Sequence, residues 1–406
     1  MMSSKPFSIA VCDADLEHLH QKLKATTFPD ELDNAGWDMG VPLGEIKRLT
    51  AYWKDGFDWR KQEQGLNQQL KQYILPMSVD GFENIDLHYI HHPSKSADST
   101  PLLFIHGWPG SFIEVTKLIP LLTSGDENKP VFDVVAPSLP NFGFSSGVKK
   151  RGFGLKQYAE ALNNLMRALG YKQYVIQGGD WGSFISRTMA RQYSSQVKAI
   201  HLNFMPLKIP MPWQNPLFCA KNLLTIPFSP ESKAYLYTTF SYLTKGSGYA
   251  IQQATRPQTI GYALHDSPVA LLSWIYDKLH LWTDNYPWTD DEILTWVSIY
   301  LFSAAGPAAS TRIYYETSED GSMMESISHP APRGVKVGMA QFKNELMKYP
   351  PSWAQLLGYE VRVKEYPTGG HFAAWEAPEL LAGDLREFLG KGGLAFGVVK
   401  GRNGIE

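Results

Sequence analysis

The hydrophobic and polar positions between residues 101 and 206 alternate between two periods. Short apolar runs have the length and composition of buried strands: LLFI, VFDVVAP, YVIQ and KAIHLNF. Between two of them, residues 155–169 place apolar side chains every three or four positions, which predicts an amphipathic helix with Gly170 at its C-cap. Strands that alternate with helices at this spacing predict βαβ units and a mostly parallel sheet of the α/β class.

This alternation is interrupted once along the chain. Residues 207–320 read as helical, rich in aromatic side chains and poor in strand patterns, and they predict a helical cap inserted into the sheet domain. The alternation resumes with GVKVGMA and YEVRVKEYP and closes with a helix through PELLAGDLREFLG. The pattern therefore predicts one α/β core built from residues 96–206 and 321–406, preceded by an N-terminal region, residues 1–95.

Residues 1–95 mix helix and loop patterns before a final strand. DADLEHLHQKLKATTFP is broadly helical and begins with Asp13, a favoured capping residue type. LGEIKRLTAYWKDGFDWRKQEQGLNQQLKQYI predicts helices joined at DGFD. IDLHYIHH alternates apolar and polar positions, as a half-buried strand does.

Composition and charge narrow the class of protein. The chain has 406 residues, of which 44% are hydrophobic and 19% charged, which suits a folded protein with a sizeable core. The 38 Lys and Arg nearly balance 40 Asp and Glu, and no basic run indicates a nucleic-acid or anionic membrane partner. Cys12 and Cys219 are too few for a disulfide framework, so we expect a reducing, cytoplasmic location. No signal peptide, membrane anchor or transmembrane stretch is recognisable.

The stretch GGDWG at residues 178–182 follows the YVIQ strand and precedes a helical pattern. A nucleophile flanked by small residues between a strand and a helix is typical of the nucleophile elbow of α/β-hydrolases, where serine is usual and Asp180 stands here. The alternative is that Asp180 only caps the helix. GFSSG, with Ser145, matches the serine pattern literally, but it follows a loop and precedes a basic, glycine-broken segment, so we do not expect Ser145 to be a nucleophile.

HGWPG at residues 106–110 directly follows the LLFI strand. Backbone amides at such a turn form half of an oxyanion hole, and the amide after the nucleophile forms the other half. These positions predict that the backbone amides of Trp108 and Trp181 form the oxyanion hole. His106 is expected to fix the loop rather than act as a base.

A second histidine lies between the last strand and the last helix. His371, in TGGHFAAWEAP, follows the nucleophile in the chain order typical of α/β-hydrolases. The acid that orients it should follow a strand between the cap and His371. Its position in the chain favours Glu345 as this acid, and the alternatives are Glu316, Asp320 and Glu360.

Together these residues resemble the epoxide hydrolases of the microsomal type, including their soluble fungal members, and the resemblance runs nearly end to end. It implies an α/β-hydrolase fold whose N-terminal region wraps the core. It also implies that Tyr249 and Tyr314 open the epoxide ring, with Tyr315 as an alternative to Tyr314. Glu345 is similar to the mammalian form, since the fungal members tend to have Asp there. The segments that carry the resemblance are FPDELDNAGWDMGVPLGEIKRLTAYWKDGFDWRKQEQGLN, HGWPGSF, GGDWG, GYAIQQATRPQTIGYAL, STRIYYE and GGHFAAWE.

The chemistry implied by the resemblance is hydrolysis of a small hydrophobic epoxide to a vicinal diol through an ester on Asp180. No metal or organic cofactor is expected. A haloalkane dehalogenase, which shares an Asp nucleophile followed by Trp, is the main alternative, and a serine esterase or a non-catalytic binding protein are two others. A homodimer is compatible with the sequence but is not predicted by it.

Overall fold

The computed structural model describes residues 3–124 and 129–404, so residues 1–2 of the predicted N-terminal region and residues 405–406 of the predicted core lie outside the described residues. Nine strands of the described residues form a single sheet. The sheet order is β1-β2-β3-β5-β4-β6-β7-β8-β9. The pairs from β5 through β4 to β9 are parallel, and β1, β2, β3 and β5 pair antiparallel. The predicted α/β class and mostly parallel sheet are confirmed. The strands are β1 (Lys5–Phe7), β2 (Gln72–Met77), β3 (Ile85–His92), β4 (Thr100–Ile105), β5 (Phe132–Pro137), β6 (Tyr174–Gly178), β7 (Val197–Leu202), β8 (Lys336–Gln341) and β9 (Val361–Glu365).

Helices flank this sheet, and all those within residues 216–328 lie in the chain between β7 and β8. Among the described residues, no helix has both the length and the apolar character needed to cross a bilayer. The α-helices are α1 (Asp13–Lys24), α2 (Leu43–Asp55), α3 (Trp59–Gln69), α4 (Ile119–Thr123), α5 (Leu155–Ala168), α6 (Trp181–Gln192), α7 (Pro216–Thr225), α8 (Pro230–Ser241), α9 (Gly248–Thr255), α10 (Pro257–Asp266), α11 (Pro268–Leu281), α12 (Asp290–Leu301), α13 (Arg312–Glu319), α14 (Ser322–Ser328), α15 (Ala373–Glu376) and α16 (Pro378–Leu389).

The centre of the sheet is the core of the molecule. Every residue of β4, β5 and β6 is buried, because helices cover both faces of these strands. This explains why they read as continuous apolar runs rather than as alternating patterns. Parallel strands end at the same edge of the sheet, so the loops that follow β4, β6 and β8 bring their residues together.

The N-terminal region departs from the sequence expectation at two places. The residues QYI, expected to end a helix, begin β2, because α3 ends at Gln69 and the chain then pairs antiparallel with β3. Tertiary pairing thus overrides the local helical pattern. Asp13 was expected to cap α1, but Cys12 is the N-cap and no side chain caps the helix; Asp13 lies in the first turn and pairs with Arg60.

Candidate functional site

Asp180 lies in the tight turn between β6 and α6. Its backbone has φ 47° and ψ −126°, a region that non-glycine residues occupy only under strain and often at functional sites. A Cβ at Gly178 would come within 2.5 Å of Gly182 O, and a Cβ at Gly182 within 2.0 Å of Ile105 O. The flanking glycines are therefore required. Asp180 occupies the N-cap position of α6 but forms no side-chain capping bond, so capping does not explain it.

The loop after β4 holds the carboxylate of Asp180. The Trp108 amide donates to Asp180 Oδ1 at 2.7 Å, and a Cβ at Gly107 would lie only 2.2 Å from the same oxygen. The Trp181 amide is the first N–H of α6 and has no acceptor among the described residues. The two amides proposed for an oxyanion hole therefore belong to residues on either side of this carboxylate, and one of them already bonds it.

His371 and Glu345 extend the site away from Asp180. His371 Nε2 lies 3.3 Å from Asp180 Oδ2, and His371 Nδ1 bonds Glu345 Oε1 at 2.6 Å. The amide of Leu346 also donates to Glu345 Oε1, at 2.7 Å, and the His371 amide donates to Trp282 O at 2.8 Å. The three side chains thus form a carboxylate–imidazole–carboxylate line in which the imidazole is hydrogen-bonded at Nδ1 and lies close to Asp180 at Nε2.

The charges of the two carboxylates control the protonation of His371. Burial by itself would lower the pKa of the imidazole, but Glu345 and Asp180 outweigh it and raise the pKa to about 10. The side chain of Asp180 is 15% exposed, whereas those of His371 and Glu345 are almost fully buried. The carboxylate of Asp180 is thus the member of the line that an incoming molecule can reach.

Tyr249 on α9 and Tyr314 on α13 lie over the same site. Their ring centroids are 6.0 Å apart, and both rings contact Trp108, at 5.1 and 5.9 Å. Tyr314 also contacts Trp181 edge-on at 4.7 Å. Burial, more than any neighbour, raises the pKa of each phenol well above its usual value, and the charge of Asp180 adds to this. Both phenols are therefore protonated hydrogen-bond donors at neutral pH.

Helix α12 of the 207–320 segment attaches this part of the chain to the HGWPG loop. Trp296 Nε1 donates to Pro109 O at 2.5 Å, and the Tyr300 hydroxyl donates to Gly110 O at 2.6 Å. Both donors lie on α12. The segment that carries the two tyrosines is thereby fixed directly to the loop that holds Asp180.

Ser145 and His106, which were not expected to react, both have structural roles. Ser145 is fully buried, and its Oγ donates to Ser138 O at 2.7 Å and accepts from His88 N at 2.9 Å, so it has a structural environment. His106 is also buried, with its pKa lowered by burial to about 4. Its Nε2 accepts from Leu139 N at 3.2 Å, which fixes the loop.

None of the alternative acids contacts His371 within the part of the chain that the structure describes. Glu316 accepts from Gly152 N, Asp320 accepts from the following turn and Glu360 pairs with Lys336. Tyr315, the alternative to Tyr314, points instead towards Arg151, whose Nη2 donates to its hydroxyl at 3.3 Å. The structure therefore brings Glu345 and Tyr314, rather than their rivals, beside His371 and Trp181.

Three further residues lie at the site although the sequence did not indicate them. The Tyr242 hydroxyl bonds that of Tyr249 at 2.9 Å, and Tyr242 begins a π-helical turn (Tyr242–Gly246) of a kind often found at functional sites. The Trp282 ring contacts His371 edge-on at 5.0 Å. Glu114 is a buried acid on the same cavity as Asp180. Only Glu114 had a local signal, since it follows Ser111 by three positions, as in a capping box.

The site offers no ligand set for a metal ion. Within residues 3–124 and 129–404, no group of three or more His, Cys, Asp or Glu side chains is arranged to hold one. What the arrangement can do chemically is present an ionised carboxylate to an electrophile, donate hydrogen bonds from two phenols, and activate a water through His371.

Comparisons with known proteins show what the whole chain is similar to. The family model described as "Epoxide hydrolase N terminus" matches residues 4–115, and the model of the alpha/beta hydrolase fold matches residues 100–222. Epoxide hydrolase 1 of Sus scrofa is 35% identical over 96% of this chain and 89% of its own length. The structure of Aspergillus niger epoxide hydrolase superposes with a TM-score of 0.81, at 30% identity and 95% coverage of both chains. That of juvenile hormone epoxide hydrolase from Bombyx mori superposes with a TM-score of 0.85, at 28% identity, over 95% of this chain and 93% of that one.

Proposed function

Because the chain belongs to the epoxide hydrolase family, with the α/β-hydrolase fold, we propose that it converts an apolar epoxide to a vicinal diol through an ester on Asp180. One observation carries the proposal. The reachable carboxylate of Asp180 lies between a Trp108 amide at 2.7 Å and His371 Nε2 at 3.3 Å, and two phenols cover the same site. These are the groups that a two-step displacement at a strained ether requires.

In the first step, Asp180 attacks a ring carbon of the epoxide. An ionised carboxylate needs no general base, so the nucleophile is ready at neutral pH. The C–O bond of the ring breaks as the ester bond forms, and negative charge develops on the epoxide oxygen. Tyr249 and Tyr314 donate hydrogen bonds to this oxygen and supply the proton that converts it to a hydroxyl group.

In the second step, water hydrolyses the ester. Formation of the ester removes the charge of Asp180, one of the two charges that hold the pKa of His371 at about 10. The imidazole pKa therefore falls and His371 becomes able to accept a proton from water, while Glu345 keeps it oriented. The amides of Trp108 and Trp181 stabilise the oxyanion, and each such donor contributes roughly 3–4 kcal/mol in other hydrolases. Collapse of this intermediate releases the diol as the alkoxide takes the proton from His371. The proton left on the new carboxyl group of Asp180 then returns to the phenolate, which restores Asp180 and the tyrosine.

The paired phenols favour an epoxide over a haloalkane. A departing halide needs no proton, whereas the opened epoxide oxygen stays on the carbon skeleton as a strong base and does. The haloalkane dehalogenase alternative leaves Tyr249 and Tyr314 without a chemical role. The aromatic surroundings of Asp180, contributed by Trp108, Trp181 and the tyrosines, suit an apolar substituent on the epoxide.

We also propose that residues 207–320 act as a cap over a core of residues 96–206 and 321–406. The support is that both phenols belong to this segment, while Asp180, Glu345 and His371 belong to the core. The hydrogen bonds from α12 to the HGWPG loop connect the two parts. The N-terminal region, residues 1–95, contributes strands β1 to β3 to the same sheet.

The proposal is tested by replacing His371 with Gln and mixing the variant with styrene oxide. The substitution removes the base but leaves Asp180 intact, so the variant should form one equivalent of an ester and then stop. Intact-protein mass spectrometry after acid quench measures the adduct, and Asp180→Asn serves as the matched control without it. Steady diol production by the His371→Gln variant, with no adduct, would contradict the proposal.

A further inference from the structure

Glu114 is a buried carboxyl group beside the catalytic residues for which the proposed mechanism has no use. It lies in a 3-10 turn (Phe112–Lys117) directly after the HGWPG loop and is 8% exposed. Glutamate is almost never buried without a partner. Among the described residues Glu114 forms no ion pair, and its one hydrogen bond is accepted by Oε1 from Ser111 N, at 3.1 Å.

The capping role of Glu114 accounts for only part of this placement. Together with Ser111, Glu114 completes a capping box at the start of the turn, which explains one carboxyl oxygen. Its other oxygen has no hydrogen-bonding protein partner within residues 3–124 and 129–404. Capping-box glutamates usually lie at the protein surface, where water satisfies the remaining oxygen. Here the residue is buried, with only 8% of its surface exposed.

The carboxyl group lies directly over the HGWPG loop. A Cβ built on Gly110 would lie 2.0 Å from Glu114 Oε1. Gly110 does not have a left-handed backbone conformation, so its lack of a side chain is explained by this close approach rather than by its φ angle. The carboxyl group of Glu114 thus occupies the space that a side chain at residue 110 would fill.

Glu114 shares a small cavity with the reacting groups. Gly110, Glu114, Asp180 and His371 all line it, and apolar and backbone surfaces and three further polar side chains form the remainder: His106, Gln177 and Asn203. Its free volume is about 20 Å³. A water molecule needs a cavity of at least roughly 10–15 Å³. The cavity therefore has room for about one water molecule, with polar groups on several sides.

The electrostatics of the cavity favour a neutral Glu114. Burial raises the pKa of its carboxyl group to about 8; His371 lowers this value and Asp180 adds to it. A protonated carboxyl group keeps a carbonyl oxygen that can accept a hydrogen bond, yet it does not compete with the imidazole as a base. It can hold a water without taking its proton.

We propose that Glu114 is a positioning residue that holds the hydrolytic water between itself and His371. The proposal rests on the ester mechanism proposed above. The carbonyl oxygen of Glu114 accepts a hydrogen bond from one hydrogen of the water, and the other hydrogen points to His371 Nε2. The water oxygen forms a bond to the ester carbon of Asp180 as its proton passes to His371. When the intermediate collapses, the C–O bond to the alkyl group breaks, and that oxygen takes the proton from His371. Glu114 keeps its own proton throughout.

Single-turnover kinetics on the whole protein test this role, because they separate ester formation from ester hydrolysis. Styrene oxide is mixed with excess protein, and the ester and the diol are followed by acid quench. Glu114→Ala should form the ester at a rate within about twofold of the native rate and hydrolyse it about 10- to 100-fold more slowly, as expected for a misplaced reactant. Glu114→Gln, which keeps a carbonyl oxygen at this position, should restore most of the hydrolysis rate.

Two matched variants separate positioning from capping. Ser111→Ala breaks the capping box but leaves the carboxyl group in place, so its stability should fall while ester hydrolysis stays at the native rate. Gly110→Ala places a methyl group where Oε1 lies, so it should displace the carboxyl group and slow hydrolysis as Glu114→Ala does. If Glu114→Ala does not fold, the rate of ester hydrolysis in Gly110→Ala tests the proposal instead.

The proposal is overturned if the ester of the folded Glu114→Ala or Gly110→Ala variant is hydrolysed at the native rate. It is also overturned if both steps slow equally or if Ser111→Ala slows hydrolysis as much. His371→Gln distinguishes these results from failure of the ester mechanism. If that variant accumulates the ester and Glu114→Ala does not, only the role of Glu114 is wrong. If His371→Gln forms no ester, the mechanism itself is wrong.

Discussion

Replacing each of the two phenols is predicted to have different effects on the stability of the protein and similar effects on the rate of ester formation. Tyr249 and Tyr314 are proposed to perform the same chemistry, but their hydroxyl groups have different surroundings. The Tyr249 hydroxyl bonds that of Tyr242 at 2.9 Å, whereas the Tyr314 hydroxyl is buried and has no hydrogen-bond partner of acceptable geometry among the described residues. Tyr249→Phe therefore breaks a bond in the free protein, and Tyr314→Phe does not.

The magnitudes follow from these surroundings. A hydrogen bond to a charged oxygen contributes about 1.5–3 kcal/mol, so losing either donor should slow ester formation by about 10- to 160-fold. Tyr249→Phe should also lower the free energy of unfolding by about 1–3 kcal/mol, because it leaves the Tyr242 hydroxyl unpaired. Tyr314→Phe replaces a hydroxyl that has no hydrogen bond of acceptable geometry among the described residues, so it should leave stability unchanged or raise it slightly.

Stopped-flow tryptophan fluorescence should report ester formation, since Trp108 and Trp181 contact the tyrosines. Urea unfolding measures stability, and Tyr315→Phe is the matched control, because that neighbouring phenol bonds Arg151 instead. The reasoning is refuted if Tyr314→Phe forms the ester at the native rate. It is also refuted if Tyr314→Phe is destabilised more than Tyr249→Phe.

Other predictions concern the residues around the nucleophile. Ser145→Ala should keep diol formation but lose about 1–2 kcal/mol of stability by urea unfolding, because two buried backbone groups lose a partner; inactivity of the folded variant would instead support a serine nucleophile. Gly107→Ala places a methyl carbon 2.2 Å from Asp180 Oδ1, so ester formation should fall about 100-fold or more, and a native rate would contradict the turn geometry. Since the pKa of His371 is raised to about 10, its stabilising charge is fully present below its unfolded pKa of about 6.5 and is lost as the pH rises towards 10. Glu345→Gln should flatten this fall in stability, and an unchanged pH slope would contradict the pairing.

The parts of the site that depend on local geometry could be predicted from the sequence. The turns at GGDWG and HGWPG follow buried strands directly, so the strand pattern and the glycines together indicate which residues meet at one edge of the sheet. Glu345 was favoured for the same reason, since it follows a strand. The family resemblance, rather than any pattern, indicated Tyr249 and Tyr314, because twenty tyrosines offer no local distinction.

The remaining features depend on contacts between segments distant in the chain. Tyr242 bonds Tyr249 across a π-helical turn, which no periodicity in the sequence indicates. Glu114 reads as an ordinary capping residue until the fold buries it against Gly110 and the cavity. Strand β2 reads as the end of a helix because its partner, β3, is needed to make it a strand. Each of these three features is determined by contacts that the local sequence pattern does not contain.

The central claim is that Asp180 carries the ester, and a single turnover in water labelled with heavy oxygen tests it most directly. With protein in excess over epoxide, the oxygen that enters the diol comes from Asp180, and the oxygen of the water enters the carboxylate. The account predicts an unlabelled first diol and a label on the peptide that contains Asp180, both measured by mass spectrometry. A labelled first diol with an unlabelled peptide would show direct attack by water and would contradict the account.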